Sequence, residues 1–284
     1  MLKEIFKTKK IFLILVLILI SFILIQKVNT VFSAPSSNAL FLKHKSDIYI
    51  DEKDDSLKLS LIFVDSKNST LFKDLNEKLK SDSKYISNNY LIYNDKKNNI
   101  EIYLNKLHKS NKYKDICLYS MDIDINFLGK NNSYNLKTLE LLGKKYAIGD
   151  INIKRIKASD DLNLISHLGL TKEMNSYDVQ LENQSKNIIK SINVKNNEYI
   201  NNVYYFINSK KVKEIQNINP KDNLKIEIDF KADVNNYDIF YFSPNIEYQV
   251  NKEKRNIVIP FASYGLPIEE NEMPRIYKEF KDNF

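Results

Sequence analysis

Two aspartates, Asp122 and Asp124, stand two residues apart in the segment SMDIDINFLG. In a β-strand, alternate residues point to the same face. Both carboxylates would then lie on one side of a sheet, with Ile123, Ile125 and Phe127 on the other. Two carboxylates on one face can bind a cation or hydrolyse a glycosidic bond. More commonly such acids are solvated side chains of a strand, which is the interpretation we favour.

The remaining reactive residue types form no known catalytic or metal-binding pattern. The three histidines, His44, His108 and His167, are widely spaced, and we expect them at the surface or in loops rather than on a metal. The single cysteine, Cys117 in DICLYS, is predicted to be a buried strand residue. No phosphate-binding or dinucleotide-binding glycine motif and no serine nucleophile motif occurs. We therefore predict no catalytic residue, metal or cofactor, and a protein that is not an enzyme.

Aromatic residues are abundant, with 18 Tyr and 15 Phe, and they concentrate in VYYFI (203–207) and IFYF (239–242). Aromatic side chains on an exposed sheet face can bind sugars or peptides. In runs this short both strand faces are apolar, which also fits a strand buried on both sides, and we favour this second interpretation. The residues of the candidate binding strip are Tyr204, Tyr205, Phe206, Tyr241 and Phe242.

The net charge of +7 is unevenly distributed along the 284 residues. Residues 1–34 hold five lysines against one acid, which leaves 38 basic and 35 acidic residues in the other 250. Such a nearly neutral body lacks the basic patch that nucleic-acid binding requires, so we predict no nucleic-acid partner. The bias toward Lys, Asn, Ile and Tyr is typical of an AT-rich genome. It favours a Gram-positive bacterium as the source, with an AT-rich eukaryotic parasite as the alternative.

Residues 11–28 are the most apolar part of the chain and predict a transmembrane helix or a signal segment. The run Ile11 to Ile25 would be a helix of about 22 Å, shorter than the hydrocarbon core of about 30 Å. Extension to Val28 reaches about 18 residues if Lys27 turns toward the interface. The length therefore permits either a retained anchor or a signal peptide.

The flanking charges predict the orientation of this segment. Four lysines precede it, so residues 1–10 should lie in the cytoplasm and the bulk of the chain outside. A signal peptidase needs small residues three positions and one position before the cut. Cleavage after Ser33 meets this requirement with Val31, whereas cleavage after Ala34 would place Phe32 at the first of these positions. We favour a retained anchor, with secretion after cleavage near Ser33 as the alternative.

Alternation of apolar and polar residues predicts strands in most of the remaining chain. In SLKLSLIFV, for example, Leu57, Leu59, Leu61 and Phe63 share one face. The segment STLFKDLNEKLKS instead predicts a short amphipathic helix after Thr70, and PRIYKEFKDNF either packs as a final helix or frays. We therefore predict a mainly β protein with one or two short helices.

The pattern divides the chain into predicted segments. The strings LENQSKNIIKSINV (181–194) and INPKDNLKIEI (218–228) resemble bacterial extracytoplasmic immunoglobulin-like modules, with an Asn-rich turn after one strand and a Pro-containing turn before another. This resemblance implies a β-sandwich without a catalytic motif. The predicted segments are a cytoplasmic tail (1–10), the anchor (11–28), a linker (29–46), a β-rich domain (47–157), a connector with a helical turn (158–175), an immunoglobulin-like domain (176–262) and a tail (263–284).

Together these features predict a membrane-anchored extracytoplasmic binding or accessory protein of the cell envelope. It would contact the membrane through residues 11–28 and a protein partner outside the cell. The first alternative is a cleaved, secreted surface protein of the same fold, such as an adhesin or an effector. The second is a cell-wall hydrolase that uses acids such as Asp122 and Asp124.

Overall fold

The computed structural model describes residues 38–68, 70–82, 90–95, 99–169, 176–195, 198–215, 217–231, 238–266 and 268–284. The predicted membrane segment 11–28, the cytoplasmic tail and the predicted cleavage site near Ser33 lie outside these residues. Among the described residues, no helix has both the length and the apolar character needed to cross a bilayer.

The described residues form 18 strands, two α-helices and one 3₁₀ turn, which confirms the predicted mainly β fold. The first strands are β1 (Leu40–Phe41), β2 (His44–Asp51), β3 (Ser56–Ser66), β4 (Tyr90–Asp95), β5 (Ile100–Tyr113), β6 (Ile116–Phe127), β7 (Ser133–Leu141), β8 (Lys144–Ile156) and β9 (Leu162–Leu168). The later strands are β10 (Ser176–Asn183), β11 (Ile189–Val194), β12 (Ile200–Ile207), β13 (Lys210–Val212), β14 (Asn223–Phe230), β15 (Ile239–Phe242), β16 (Asn245–Val250), β17 (Glu253–Val258) and β18 (Ala262–Tyr264). The helices are α1 (Thr70–Asp82) and α2 (Met273–Asn283), and the 3₁₀ turn is Glu270–Glu272.

Two five-stranded sheets enclose a first hydrophobic core. Sheet 1 has the order β1-β3-β6-β5-β4 and sheet 2 the order β18-β15-β2-β8-β7. The alternation in β3 and β6 sends one face of each strand inward, so that Leu61 lies opposite Met121 and both are fully buried. Helix α1 covers this core with Leu71 and Leu75, which confirms the predicted amphipathic helix.

A second core lies between two smaller antiparallel sheets. Sheet 3 has the order β13-β12-β14-β10-β9 and sheet 4 the order β11-β16-β17. Inward residues of both sheets, such as Val179 and Ile226 from sheet 3 and Ile246 from sheet 4, are fully buried. The turn between β12 and β13 is tight because Asn208 and Ser209 both adopt positive φ values of 48° and 67°.

Strand β15 contributes to both cores. Ile239 and Tyr241 belong to the first core, whereas Phe240 and Phe242 belong to the second. The strand can do so because it is a central strand of sheet 2, parallel to β2 and antiparallel to β18. Both cores lie within one compact unit, residues 39–284. The predicted limits of two separate domains stay a prediction.

The structure corrects the predicted linker. Residues 39–46 belong to the fold, since β1 begins at Leu40, β2 begins at His44, and Ala39 is 5% exposed. The expectation that His44 lies at the surface is also wrong, because its side chain is 1% exposed. The sequence LFLKHKS hides this strand because β2 lies between two parallel neighbours in sheet 2, so polar residues on both of its faces are buried.

Two further segments differ from or complete the prediction. Within the described part of the predicted connector, residues 158–169, there is no helical turn; Leu162–Leu168 instead form the edge strand β9, which pairs with β10. Leu162 is the buried residue of this strand. The C-terminal helix packs rather than frays, with Met273, Ile276 and Phe280 buried in the first core.

Cys117 is a buried strand residue, as predicted.

Candidate functional site

A groove of about 650 Å³ is lined by residues of sheet 1, of β15 and β18, and of the segments next to β18. We call it the outer groove. One of its walls belongs to sheet 1 and carries Lys58, Ser60, Asn105, Lys106, Asp122 and Asp124. The other wall belongs to β15, β18 and the adjoining segments, and it carries Tyr241, Phe261, Ser263 and Leu266.

The sheet wall follows from strand register. Ser60 lies opposite Asp122 and Lys58 lies opposite Asp124 in the antiparallel pair of β3 and β6. Directly opposite residues of such a pair point to the same face. The prediction that Asp122 and Asp124 share one face is therefore confirmed, and Ile123 between them turns into the first core.

A β-bulge brings Lys106 into the same wall as Asn105. Leu104 pairs with Ile123 and Lys106 pairs with Asp122, so Asn105 is the extra residue between them. A bulge adds one residue to a strand and disturbs the local ladder. In a regular ladder Asn105 itself would lie opposite Asp122, whereas the bulge places Lys106 there, and both residues line the groove.

Asp122 is held by two neighbours. Its Oδ1 accepts a hydrogen bond of 2.7 Å from the Ser60 hydroxyl, and its Oδ2 lies 3.4 Å from His108 Nε2. The side chains of His108 and Asp122 remain 43% and 37% exposed, so solvent screens this contact. Both carboxylate oxygens of Asp122 therefore already have a partner.

Asp124 and Asn105 differ from Asp122 in this respect. The Oδ1 atoms of both side chains are buried and accept no hydrogen bond from any residue that the structure describes. A buried acceptor without a donor costs about 1–3 kcal/mol. Native proteins keep few such atoms, and their presence in a groove lining marks a place where an outside donor would be stabilising.

The opposite wall is aromatic and fixed. The Tyr241 hydroxyl donates a hydrogen bond to the Ser60 carbonyl oxygen, which joins the two walls. Burial raises the pKa of Tyr241 well above its usual range, so the phenol stays neutral. The Phe261 ring stands at 90° to the Tyr241 ring with centroids 5.6 Å apart, and it is half-buried. Phe261 thus presents a supported aromatic surface to the groove.

The formal charges of the groove lining cancel. Asp122 and Asp124 face Lys58 and Lys106, and each aspartate has one of these lysines as its direct cross-strand neighbour. Among the described residues, no group of three or more histidine, cysteine or acidic side chains is placed to hold a metal ion. The groove therefore offers hydrogen-bond acceptors and an aromatic surface without a strong net field.

The structure does not bring the five residues of the predicted strip onto one surface. Tyr241 and Phe242 are 2% and 1% exposed and lie in the two cores, as the favoured core interpretation of IFYF requires. Tyr205 turns toward the second core, where its hydroxyl accepts a hydrogen bond from the Val194 N–H at 3.3 Å. Tyr204 and Phe206 remain, half-buried on the outer face of sheet 3.

Lysines already cover these two rings. Lys211 Nζ lies 4.0 Å from the centroid of the Tyr204 ring, and Lys225 Nζ lies 5.8 Å from that of Phe206. Lys225 is held in place by Glu227 at 2.5 Å and Asp178 at 3.1 Å. Beside Phe206 lies a smaller cavity of about 330 Å³. This outer face is therefore occupied largely by contacts within the protein.

Sequence reasoning identified the two aspartates and Tyr241 among the residues of the outer groove. It missed Ser60, Asn105 and Phe261, because each reaches the groove through pairing or packing with a distant strand. Only Ser60 left a signal in the sequence. Alternation predicts strands in both segments, and pairing these strands in the observed register places Ser60 opposite Asp122. Nothing in the local sequence of Asn105 indicates the bulge.

No protein-family profile and no curated protein sequence matches the chain significantly. Solved structures with some similarity include a secreted serine protease of Vibrio cholerae, at 8% identity and a TM-score of 0.23, covering 67% of this chain and 46% of the protease. They also include the MSCRAMM ACE of Enterococcus faecalis, described as binding its ligands by the collagen hug model, at 12% identity and 0.20, covering 78% and 95%. A third is the adhesin InvE of Yersinia pseudotuberculosis, at 8% identity and 0.18, covering 78% and 58%.

This chain thus spans less than half of the Vibrio protease and somewhat more than half of the Yersinia adhesin. Bacterial adhesin-type proteins are represented among the neighbours. TM-scores of 0.18 to 0.23 do not establish a common fold with any of them.

Proposed function

We propose that this protein is a non-catalytic binding or accessory protein of the cell envelope. Residues 11–28 anchor it in the cell membrane, residues 1–10 lie in the cytoplasm and the β-rich body lies outside. The observation that carries this proposal is the outer groove of about 650 Å³, which is lined by charged, polar and aromatic side chains. Its volume lies in the range of about 300–1,000 Å³ that is typical of ligand sites.

The geometry of the acids supports binding over catalysis. A hydrolase that used Asp122 would need one carboxylate oxygen directed at the substrate. Here one oxygen accepts the Ser60 hydroxyl and the other faces His108. Asp124 has a buried Oδ1 without a described donor, which could accept a ligand hydroxyl once a side-chain rotation turns it to the groove.

The topology can be tested by cysteine labelling of intact cells with a membrane-impermeant maleimide. Lys213→Cys places a thiol at an exposed site of the body, and Thr8→Cys places one in the predicted cytoplasmic tail. We expect labelling of the first variant before lysis and of the second only after lysis. Because native Cys117 is buried, it gives little background in either variant. Labelling of the tail in intact cells, or protection of the body, would refute the proposed topology.

The secreted alternative makes a different prediction about the mature protein. Mass spectrometry of the N-terminus should find residues before Ser33 on the membrane-associated protein if the anchor is retained. A species that begins at Ala34 in the medium would establish cleavage. Val31→Phe blocks the predicted cleavage site, so it should abolish that soluble species if cleavage occurs and change nothing if it does not.

The hydrolase alternative is tested by Asp122→Asn and Asp124→Asn in assays on cell-wall polymer. We expect no hydrolysis by the wild type beyond that of a buffer control. Activity in the wild type that both substitutions abolish would overturn the non-catalytic proposal.

A further inference from the structure

We propose that the outer groove binds a neutral, hydroxyl-rich carbohydrate. This inference rests on the proposed function, because it names the ligand class for the same groove. Three properties of the groove lead to it: its balanced charge, its acceptors without internal donors and its supported aromatic ring.

The balanced charge of the groove lining disfavours strongly ionic ligands. An anionic ligand would approach Asp122 and Asp124, and a cationic one would approach Lys58 and Lys106, at unfavourable close range. A neutral ligand is repelled neither by the aspartates nor by the lysines. It gains hydrogen bonds to charged acceptors, which are stronger than those between neutral groups.

The unpartnered acceptors require donors from the ligand. Asp124 Oδ1 and Asn105 Oδ1 are buried and accept no hydrogen bond from a described residue. A side-chain rotation that turns either oxygen to the groove would let it accept a hydroxyl proton. Sugars present several hydroxyl donors close together on one rigid ring, which matches two acceptors on adjacent strands.

The aromatic wall supplies the apolar half of the site. A pyranose ring has a C–H face that stacks on an aromatic ring, and Phe261 lines the same groove as the two acceptors. Its perpendicular contact with Tyr241 holds the ring in place, so little side-chain freedom is lost on binding. Tyr241 in turn is fixed by its hydrogen bond to the Ser60 carbonyl on the opposite wall.

The test uses the full chain in detergent micelles on an array of neutral and anionic oligosaccharides. Titration calorimetry with the tightest neutral oligosaccharide then gives the affinity. We expect Asp124→Ala, Asn105→Ala and Phe261→Ala each to weaken binding by about tenfold or more. Phe261→Tyr, which keeps the ring, should bind nearly as well as the wild type. Tyr204→Ala, on the outer face of sheet 3, is the matched aromatic control and should leave binding unchanged.

Two readouts separate a neutral from an ionic ligand. Binding of a neutral sugar should change little between low and high salt, because no charge pair is formed. Asp124→Asn keeps an acceptor oxygen, so it should bind more weakly than the wild type and more tightly than Asp124→Ala. Tighter binding of an anionic than of any neutral oligosaccharide on the array, with a strong salt dependence, would instead identify an ionic ligand and overturn the inference.

The outcomes distinguish this inference from the proposed function. If no neutral oligosaccharide binds while the labelling experiment places the body outside the cell, the carbohydrate inference fails and the proposed location stands. If a sugar binds all three alanine variants as tightly as it binds the wild type, the groove is not the site and the inference fails. If the labelling places the body inside the cell, the proposed function fails whatever the array shows.

Discussion

Strands β12 and β15 carry the two densest aromatic clusters of the chain and have opposite environments. In β15 all four residues are buried, and they alternate between the two cores. In β12 the last five residues are half-buried, and Tyr204 and Phe206 lie beneath lysine side chains on an outer sheet face. Composition is nearly the same in both segments, so the difference comes from the strands on either side of each one.

Position in the sheets explains this difference. β15 lies between β2 and β18 in sheet 2 and has a core on each face. β12 lies between β13 and β14 in sheet 3 and has the second core on one face only. An aromatic residue in β15 is therefore a packing residue, whereas the outward aromatic residues of β12 mainly support charged neighbours.

The largest effect should follow from truncation in β15. Phe242 packs against Phe230 at 4.8 Å and Tyr177 at 5.9 Å between ring centroids, and it is 1% exposed. Phe242→Ala should lower the free energy of unfolding by about 4 kcal/mol, since it leaves a cavity in the second core. Urea denaturation of the full chain in mild detergent, followed by circular dichroism, measures this loss.

Phe206→Ala is the matched control in β12 and should cost about 1 kcal/mol or less. If Phe242→Ala fails to fold, Phe242→Leu keeps most of the volume and should still cost more than Phe206→Ala. Equal losses at the two positions would contradict the distinction between the strands.

A pH-dependent effect should arise at His44, which lies beside β15 and stacks near Tyr241 at 6.3 Å between ring centroids. Its Nδ1 donates to the Leu42 carbonyl at 2.7 Å, and its Nε2 accepts the Ile62 N–H at 3.2 Å, so the ring is neutral. Burial lowers the pKa of His44 from 6.5 to about 4. In the unfolded chain this histidine takes up a proton near pH 6.5, whereas in the folded protein it does so only near pH 4.

The stability associated with His44 is therefore complete above about pH 6.5 and falls as the pH drops toward 4, by about 3 kcal/mol in total. NMR titration of the His44 ring separates this contribution from that of the carboxylates. A His44 resonance that titrates near pH 6.5 would show that the ring is not buried as described.

A smaller effect should follow from Arg275, which fixes the residue just before β15. Asp238 accepts hydrogen bonds from the Lys43 N–H at 2.7 Å and from Arg275 at 2.6 Å, and its side chain is only 6% exposed. Arg275→Ala should cost about 1–2 kcal/mol, because the arginine is half exposed and solvent partly replaces it. Lys281→Ala removes an exposed ion pair with Asp115 and should have no measurable effect on urea denaturation. Equal stability of the two variants would show that Arg275 does not hold β15 in place.

The aromatic strands also show how far the sequence could predict the structure. Alternation predicted β3, β6 and the paired aspartates of the outer groove, because burial on one face leaves a local signal of period two. The helix α1 was likewise predicted from the spacing of Leu71 and Leu75. The formation of these elements is determined by their own residues, which need only some apolar surface to pack against.

The missed features depend on pairing across the chain. β2 and β15 are parallel neighbours although Ser46 and Tyr241 are far apart in the sequence, and neither segment indicates its partner. The same holds for the outer groove, where Phe261 and Asn105 meet only because sheet 1 and β15 come together. Single-residue patterns can suggest that IFYF is buried on both faces, but they cannot say which two cores it joins.

The smallest effect concerns the outward face of β12. Lys211 Nζ lies 4.0 Å from the centroid of the Tyr204 ring, a cation–π distance. A double-mutant cycle with Tyr204→Leu and Lys211→Met should give a coupling energy of about 0.5 kcal/mol, because the site faces solvent. Coupling of this size means that the lysine covers the ring and that the ring needs no outside partner. Coupling near zero would mean that Tyr204 is left uncovered in solution, and the aromatic strip would then again be a candidate binding surface beside the outer groove.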